Sequence, residues 1–105
     1  MMARLLFDKP AHHAGKNVTV RRGIKWASIG PGPVELEAEG MVRRGRILDV
    51  ALFHFQHLPG WVYRLEHDPA CHTYEGLRAA MARVYPTFDA KEIVSVVSYE
   101  LNEYD

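Results

Sequence analysis

The chain lacks the features that would place it outside the cytoplasm or in a membrane. Its single cysteine, Cys71, cannot form a disulfide within the chain, and a chain without disulfides fits a reducing compartment. The apolar stretch at the N-terminus is too short for a signal peptide and is interrupted by Asp8. No apolar run approaches the roughly 20 residues that a membrane-spanning helix needs. We therefore expect a cytoplasmic protein that makes no contact with a membrane.

Net charge is also lacking, since 13 basic residues balance 13 acidic ones. This balance argues against a protein that binds DNA through bulk positive charge. The charges are unevenly distributed, with nine Lys or Arg against four Asp or Glu in residues 1–46 and four against nine in residues 47–105. A basic half can form a local patch on a neutral protein. The length of 105 residues and the 48% hydrophobic content predict a single globular domain, 1–105.

Hydrophobic periodicity predicts about five strands and one clear helix. The helix lies in TYEGLRAAMARVYP, with Thr73 as its cap and Pro86 as its stop. The strands are predicted at 5–8, 17–22, 33–40, 42–58 and 92–101, with a bend or bulge at Gly45. In the last strand the predicted apolar face consists of Ile93, Val97, Tyr99 and Leu101.

The remaining segments are predicted as connections. GPGP at 30–33 and PGW at 59–61 are typical turns, and KPAHHAG at 9–15 suits a short helix or a turn. Strands with long irregular connections in so short a chain indicate an α+β fold, in which a strongly bent sheet or small β-barrel carries flanking helices. The residues expected in its core are Val18, Val20, Leu36, Leu77 and Met81.

Strand 17–22 and the residues on either side of it carry more polar groups than a sheet needs. Lys16, Thr19 and Arg21 have the spacing of a known signature, Gly-x-Lys-x-x-Glu-x-Arg. The chain in this respect resembles the ASCH domains, which are relatives of the RNA-binding PUA domains. Threonine at the Glu position resembles the small bacterial ASCH proteins that are N(4)-acetylcytidine amidohydrolases. Gly15 stands one residue after the signature's glycine position, which Ala14 occupies.

The resemblance extends over nearly the whole chain. GPGPV at 30–34 is similar to the family's proline-glycine turn before a strand, and VYP at 84–86 is similar to the end of its helix. The resemblance to the ASCH family implies a single PUA-like β-barrel of about five or six strands with one or two flanking helices. It also implies a cleft lined by Lys16, Thr19 and Arg21.

The resemblance further implies roles for these residues. Similar hydrolases use the matching threonine, here Thr19, as nucleophile, the matching lysine, here Lys16, as its base, and a glutamate downstream as proton donor. Ala70 stands at the position expected for that glutamate. The acids near it are Glu66, Asp68 and Glu75, with His72 as a substitute that is not a carboxylate, and of these Glu66 and Asp68 are the catalytic candidates.

The residues themselves set two conditions on this chemistry. A threonine hydroxyl needs an adjacent base, and a lysine can act as one only if burial or nearby positive charge lowers its pKa. In a regular strand Lys16 and Thr19 would point to opposite faces, because they are an odd number of residues apart. The chain must therefore bend between Gly15 and Lys16 for both to reach one cleft. From spacing alone, Thr19 as an ordinary strand residue and Lys16 as a surface charge are favoured.

Several residues suit binding rather than catalysis. Arg21, Arg22 and Lys25 can contact phosphate, and Trp26 offers a face for base stacking unless it is a core residue. His13 and His72 complete the substrate-binding candidates, and His12 and His13 are placed to line the same cleft as Lys16. The chain has six histidines, but none has the tight spacing of a zinc site, so we expect no metal and no cofactor.

Three functions remain open from the sequence. The first is an RNA- or nucleoside-binding ASCH domain, with hydrolysis of an amide on a modified base such as N(4)-acetylcytidine as an additional activity that the sequence does not settle. The second is a non-enzymatic RNA-binding module. The third is a small regulatory domain that binds proteins, whose sign would be an exposed apolar patch near Phe53, Phe55 or Trp61.

Overall fold

The structure, a computed structural model, describes residues 2–9 and 11–102. Five strands form one sheet: β1 (Ala3–Phe7), β2 (Asn17–Arg22), β3 (Gly32–Ala38), β4 (Met41–His54) and β5 (Ile93–Leu101). The described residues also form three helices, namely α1 (Lys25–Ile29), α2 (Gly60–Leu65) and α3 (Tyr74–Val84). Short 3-10 turns cover Phe55–His57 and Pro69–Cys71. No helix among these residues is long and apolar enough to cross a bilayer.

The sheet is a curled half-barrel with strand order β1-β3-β4-β5-β2. β1 pairs in parallel with β3, and the other neighbours are antiparallel. The two edge strands, β1 and β2, approach each other across the open side, where Nη1 of Arg21 donates a hydrogen bond of 2.7 Å to the carbonyl oxygen of Leu6. The prediction of an α+β fold with a bent, barrel-like sheet is confirmed at this level.

Both faces of the sheet are buried. One face packs against α2 and α3, and the buried residues at this contact include Val18 and Val20 of β2 and Leu77 and Met81 of α3. The other face forms the interior of the half-barrel and includes Leu5, Trp26, Val34, Leu36, Ile47, Val97 and Tyr99. All five residues predicted for the core are buried, so the periodicity gave the correct phase for β2, β3 and α3.

The apolar face predicted for β5 is wrong in part. Val97 and Tyr99 are fully buried, as expected, but Ile93 is 42% exposed. Val94 and Val96, on the opposite face, are fully buried as well. β5 lies between β4 and β2 with helices on one side and the barrel interior on the other, so a one-sided alternation does not describe it.

The prediction for α3 is confirmed, including its cap. The side chain of Thr73 accepts a hydrogen bond of 3.1 Å from the backbone N–H of Gly76, and the helix ends at Val84, two residues before Pro86. Helices α1 and α2 were not predicted. Each has only five or six residues, too few to show a helical period, and α2 begins inside the segment predicted as a turn.

Two other predictions need correction. Of the short helix or turn predicted for 9–15, the helix is absent from the described residues, which bend at 14–15, and Pro10 lies outside them. The bulge in β4 occurs between Ile47 and Asp49, not at Gly45. Gly45 instead lies where the backbone of β5 passes closely. A side-chain carbon at this position would overlap the backbone carbonyl oxygen of Glu100.

Candidate functional site

A cavity of about 330 Å³ opens along the outer edge of β2. We call it the main cavity. Its walls are the end of β1, the segment that follows α2, and the C-terminal half of α3. The segment after α2 returns beside β2, where the backbone N–H of His67 donates a hydrogen bond of 2.9 Å to the carbonyl of Val18. The polar or charged side chains nearest β2 in this cavity are Thr19, Arg21, Glu66, His67 and Asp68.

Arg21 connects the residues at the floor of the main cavity. Its Nε donates a hydrogen bond of 3.1 Å to the hydroxyl of Thr19, and its Nη1 bonds the Leu6 carbonyl. The guanidinium carbon lies 4.7 Å from the centre of the Phe7 ring, which is a cation–π contact. Burial lowers the pKa of Arg21, but an arginine remains charged at neutral pH. Within residues 2–9 and 11–102, no group is bonded to Nη2 of Arg21, so this donor is left for a ligand.

Glu66 is the most unusual residue of the main cavity. Its side chain is carboxylic, yet the residue is only 2% exposed. Oε1 accepts a hydrogen bond of 3.3 Å from the backbone N–H of Asp68 and lies 3.1 Å from Nε2 of His67. Burial raises the pKa of Glu66 to about 8, and the attraction of Arg21 opposes this only partly. Glu66 is therefore mostly protonated and uncharged at pH 7.

The neighbouring histidine is consistent with an uncharged Glu66. Burial lowers the pKa of His67 to about 4, so its ring is neutral at pH 7. Nδ1 lies 2.9 Å from the carbonyl oxygen of Ala11, which can only accept, so Nδ1 carries the hydrogen. Nε2 then has a lone pair that faces Oε1 of Glu66, and the proton between them belongs to the carboxyl group.

The structure brings together four of the residues that the sequence singled out. Thr19 and Arg21 from β2 and Glu66 and Asp68 from the segment after α2 all line the main cavity. Thr19 is only 3% exposed, so its hydroxyl is accessible from the cavity rather than from bulk solvent. From the sequence, His67 was considered only as a metal ligand, with Cys71 and His72, and it was not among the predicted site residues.

Lys16 does not join this group. Its side chain is exposed, and Nζ lies 5.4 Å from the centre of the Trp61 ring. Lys16 thus lies on the side of the sheet that packs against α2, together with Val18, while Thr19 faces the other way. The bend that would carry both side chains into one cleft is not formed, and the parity of strand spacing decides the outcome.

The other basic candidates lie elsewhere. Arg22 forms a salt bridge of 2.6 Å with Glu92, and Lys25 lies above the ring of Trp26 with Nζ 5.6 Å from its centre. Trp26 is 7% exposed and belongs to the barrel interior. The interpretation of Trp26 as a base-stacking platform is therefore wrong, and its role is in the core.

His13 and His72 lie in a second depression of about 530 Å³. We call it the histidine groove, and it shares His67 as a wall with the main cavity. The full lining of the groove is Ala11, His12, His13, Arg64, Leu65, His67, Pro69 and His72. Four of the six histidines of the chain therefore converge on one surface. In the part of the chain that the structure describes, no group of three or more ligand residues is arranged to hold a metal ion.

The aromatic residues named for a protein-binding patch are not freely exposed. Phe55 is fully buried, and Phe53 and Trp61 are partly buried and in edge contact, with ring centres 6.3 Å apart.

The chain matches no protein-family model, no curated protein and no solved structure. The site is therefore interpreted from its own geometry.

Proposed function

We propose that this protein is an ASCH-like domain of the PUA-like class that binds a nucleoside, or the base of a nucleotide in RNA, in the main cavity. The observation that carries the proposal is Glu66, a buried and uncharged carboxyl that lines a cavity of about 330 Å³ beside Thr19 and Arg21. That volume lies at the lower end of the range for small-molecule pockets, about 300–1,000 Å³. A cytoplasmic location belongs to the same proposal and is supported by the single buried thiol, Cys71.

The polar groups of the main cavity complement an amide-like edge. Both contacts of the Glu66 carboxyl go to Oε1, which leaves Oε2 as an acceptor for a ligand N–H. Nη2 of Arg21 and the hydroxyl of Thr19 supply donors for a ligand carbonyl. A carbonyl next to an N–H is the hydrogen-bonding edge of several nucleobases and of an acylated exocyclic amine. An uncharged carboxyl also favours a neutral ligand over a cationic one.

A second candidate function is hydrolysis of such an acyl group, and the shared placement of Thr19 and Glu66 favours it. The Thr19 oxygen would bond to the acyl carbon while the carbon–nitrogen bond breaks. Glu66 would give its proton to the leaving nitrogen and take the hydroxyl proton of Thr19 in its place. Water would then cleave the threonine ester, releasing the acid and restoring the hydroxyl. Lys16 has no part in this version, because it lies against Trp61.

Calorimetric titration tests the binding function. Cytidine, N(4)-acetylcytidine, uridine and adenosine are titrated into the purified protein and into Thr19→Val, which removes a donor from the main cavity. At least one nucleoside should bind at micromolar to millimolar concentration, and Thr19→Val should weaken it by about tenfold. Lys16→Ala is the matched control and should bind as the wild type does. Absence of binding to every nucleoside and to short RNA at low salt would overturn the proposal.

A further inference from the structure

We propose that the histidine groove binds the phosphate group of the same ligand whose base occupies the main cavity. This inference rests on the proposed function and narrows it, because it makes the ligand a nucleotide or an RNA end rather than a free nucleoside. The groove and the main cavity share His67 as a wall, so one ligand can reach both.

His12 supplies a donor that is fixed by the core. Its Nδ1 lies 2.6 Å from the hydroxyl of Tyr99, which has no other hydrogen-bond partner among the described residues. Burial raises the pKa of Tyr99, so the hydroxyl keeps its hydrogen and donates it to Nδ1. A neutral imidazole that accepts at Nδ1 carries its own hydrogen at Nε2. His12 therefore presents an N–H donor even when uncharged, as its lowered pKa requires.

Arg64 adds a permanent positive charge to the groove. Its side chain is exposed near the end of α2 and has no carboxylate within ion-pair distance among the described residues. A guanidinium offers several N–H donors in a planar arrangement that suits phosphate oxygens. None of the described residues that line the groove is acidic, so no carboxylate among them competes with a bound anion for these donors.

Two further histidines line the groove and are held by backbone carbonyls. His13 has both ring nitrogens near carbonyl oxygens, Nε2 at 3.1 Å from Leu65 and Nδ1 at 3.2 Å from Ala14. His72 donates from Nε2 to the carbonyl of Glu66 at 2.9 Å. The donors that the groove offers to a phosphate are therefore Nε2 of His12 and the guanidinium of Arg64.

The main cavity does not offer an equivalent phosphate site. The cations at its rim, Lys9 and Arg83, are accompanied by the carboxylates of Asp8 and Asp68. An anion placed there would meet like charges as well as opposite ones. Among its described lining residues the groove has Arg64 and no carboxylate, so it suits a phosphate, whereas the main cavity suits a neutral base.

Histidine side-chain NMR with inorganic phosphate tests the groove by itself. Phosphate should shift the ring resonances of His12 and His72, while those of His54 and His57, which lie outside the groove, stay unchanged. Arg64→Gln should reduce the phosphate affinity several-fold, and Arg78→Gln, an exposed arginine of α3 outside both depressions, should not. Equal shifts for all histidines, no shift, or an unchanged affinity in Arg64→Gln would overturn the inference.

Calorimetry with nucleosides and nucleotides then separates the two proposals. If both hold, the 5′- or 3′-monophosphate of the bound nucleoside should bind about tenfold more tightly than the nucleoside itself. Arg64→Gln should remove that advantage and leave the nucleoside affinity unchanged. A nucleoside that binds as well as its nucleotides would overturn the phosphate site and keep the binding function. Phosphate binding at the groove without binding of any nucleoside would overturn the binding function, and with it the shared ligand, and would leave the groove as an anion site by itself.

Discussion

Nε2 of His67 lies 3.1 Å from Oε1 of Glu66, and one proton is shared between these two buried groups. The carbonyl oxygen of Ala11 accepts a hydrogen bond from Nδ1 of His67. The proton between Nε2 of His67 and Oε1 of Glu66 therefore lies on the carboxyl group. The lone pair of Nε2 then needs a hydrogen from Glu66. Loss of the Glu66 proton would leave a buried carboxylate facing a lone pair, and the N–H of Asp68 and the charge of Arg21 would offset this only in part.

This pair predicts how stability depends on pH. The pKa of Glu66 rises from 4.5 to about 8 on folding, so the folded state binds more protons than the unfolded state in this range. Its contribution is fully present below pH 4.5 and is lost as the pH rises to 8. The pKa of His67 falls from 6.5 to about 4, so its contribution is lost as the pH falls through that range. The two slopes cancel between pH 4.5 and 6.5, and only the Glu66 slope remains up to pH 8.

Chemical denaturation at a series of pH values checks this expectation. Because the pKa of His12 is lowered as well, the free energy of unfolding should rise slightly from pH 5 to 6.5 and then decrease by at most about 1.4 kcal/mol per pH unit. Arg21, Asp68, His12, Tyr99 and Cys71 are the other charged or titratable groups that interact with this pair. Glu66→Gln keeps the shape of the acid and cannot ionise, so the decrease above pH 6.5 should disappear. A decrease of the same size in Glu66→Gln would assign it to another group.

The adjacent residues Arg21 and Arg22 should differ strongly in their effect on stability. Arg21 joins β2 to β1 through Leu6, bonds Thr19 and packs on Phe7. Its replacement by Met leaves these polar groups unpaired and should lower the free energy of unfolding by about 1–3 kcal/mol. Arg22→Met removes contacts near the surface, with Glu92, Thr87 and the ring of Tyr85, whose polar groups remain open to solvent, and should change the free energy of unfolding less. Urea denaturation of both variants measures the contrast, and equal losses would contradict the bridging role of Arg21.

Gly45 should be required for the contact between β4 and β5. A methyl group there would overlap the carbonyl of Glu100, so Gly45→Ala must move one strand. We expect a loss of about 1–3 kcal/mol in the free energy of unfolding. Gly60→Ala is the control, since its added carbon meets only the flexible end of Arg64 at 3.2 Å. A stable Gly45→Ala protein would mean that β5 can shift at this point without loss.

The sequence predicted the parts of the fold that repeat a local pattern. Alternation placed Val18, Val20 and Leu36 in the core, and the 3.6-residue period placed Leu77 and Met81. It failed where burial is two-sided, at Val94 and Val96 of β5, because alternation disappears when both faces of a strand are covered.

The candidate site was predictable in the same limited way. Alternation predicted that Thr19 and Arg21 share one face of the strand, but only the resemblance to the ASCH signature made them site candidates. Glu66 was one of several acids near the expected position, and only the return of the chain beside Val18 shows which acid enters the cavity. The convergence of His12, His67 and His72 depends on tertiary structure, since no periodic spacing relates them.

Release of acetate from N(4)-acetylcytidine provides the last prediction, which separates two mechanisms that use the same threonine. If the domain hydrolyses this nucleoside with Thr19 and Glu66, then Thr19→Val and Glu66→Gln should each lower turnover by at least about 100-fold. Thr19→Ser keeps a hydroxyl and should keep measurable turnover. Lys16→Ala should be fully active, because Lys16 lies against Trp61.

The opposite result has an equally definite meaning. Loss of turnover in Lys16→Ala would show that Lys16 leaves Trp61 and reaches Thr19 when substrate binds, as the resemblance to the hydrolases implies. A lysine base must be unprotonated and predicts activity that is lost as the pH falls, whereas a Glu66 acid predicts activity that is lost above about pH 8, where Glu66 gives up its proton. The pH profile of kcat therefore discriminates between the two. If the wild-type protein binds the nucleoside without releasing acetate, the main cavity acts in recognition alone.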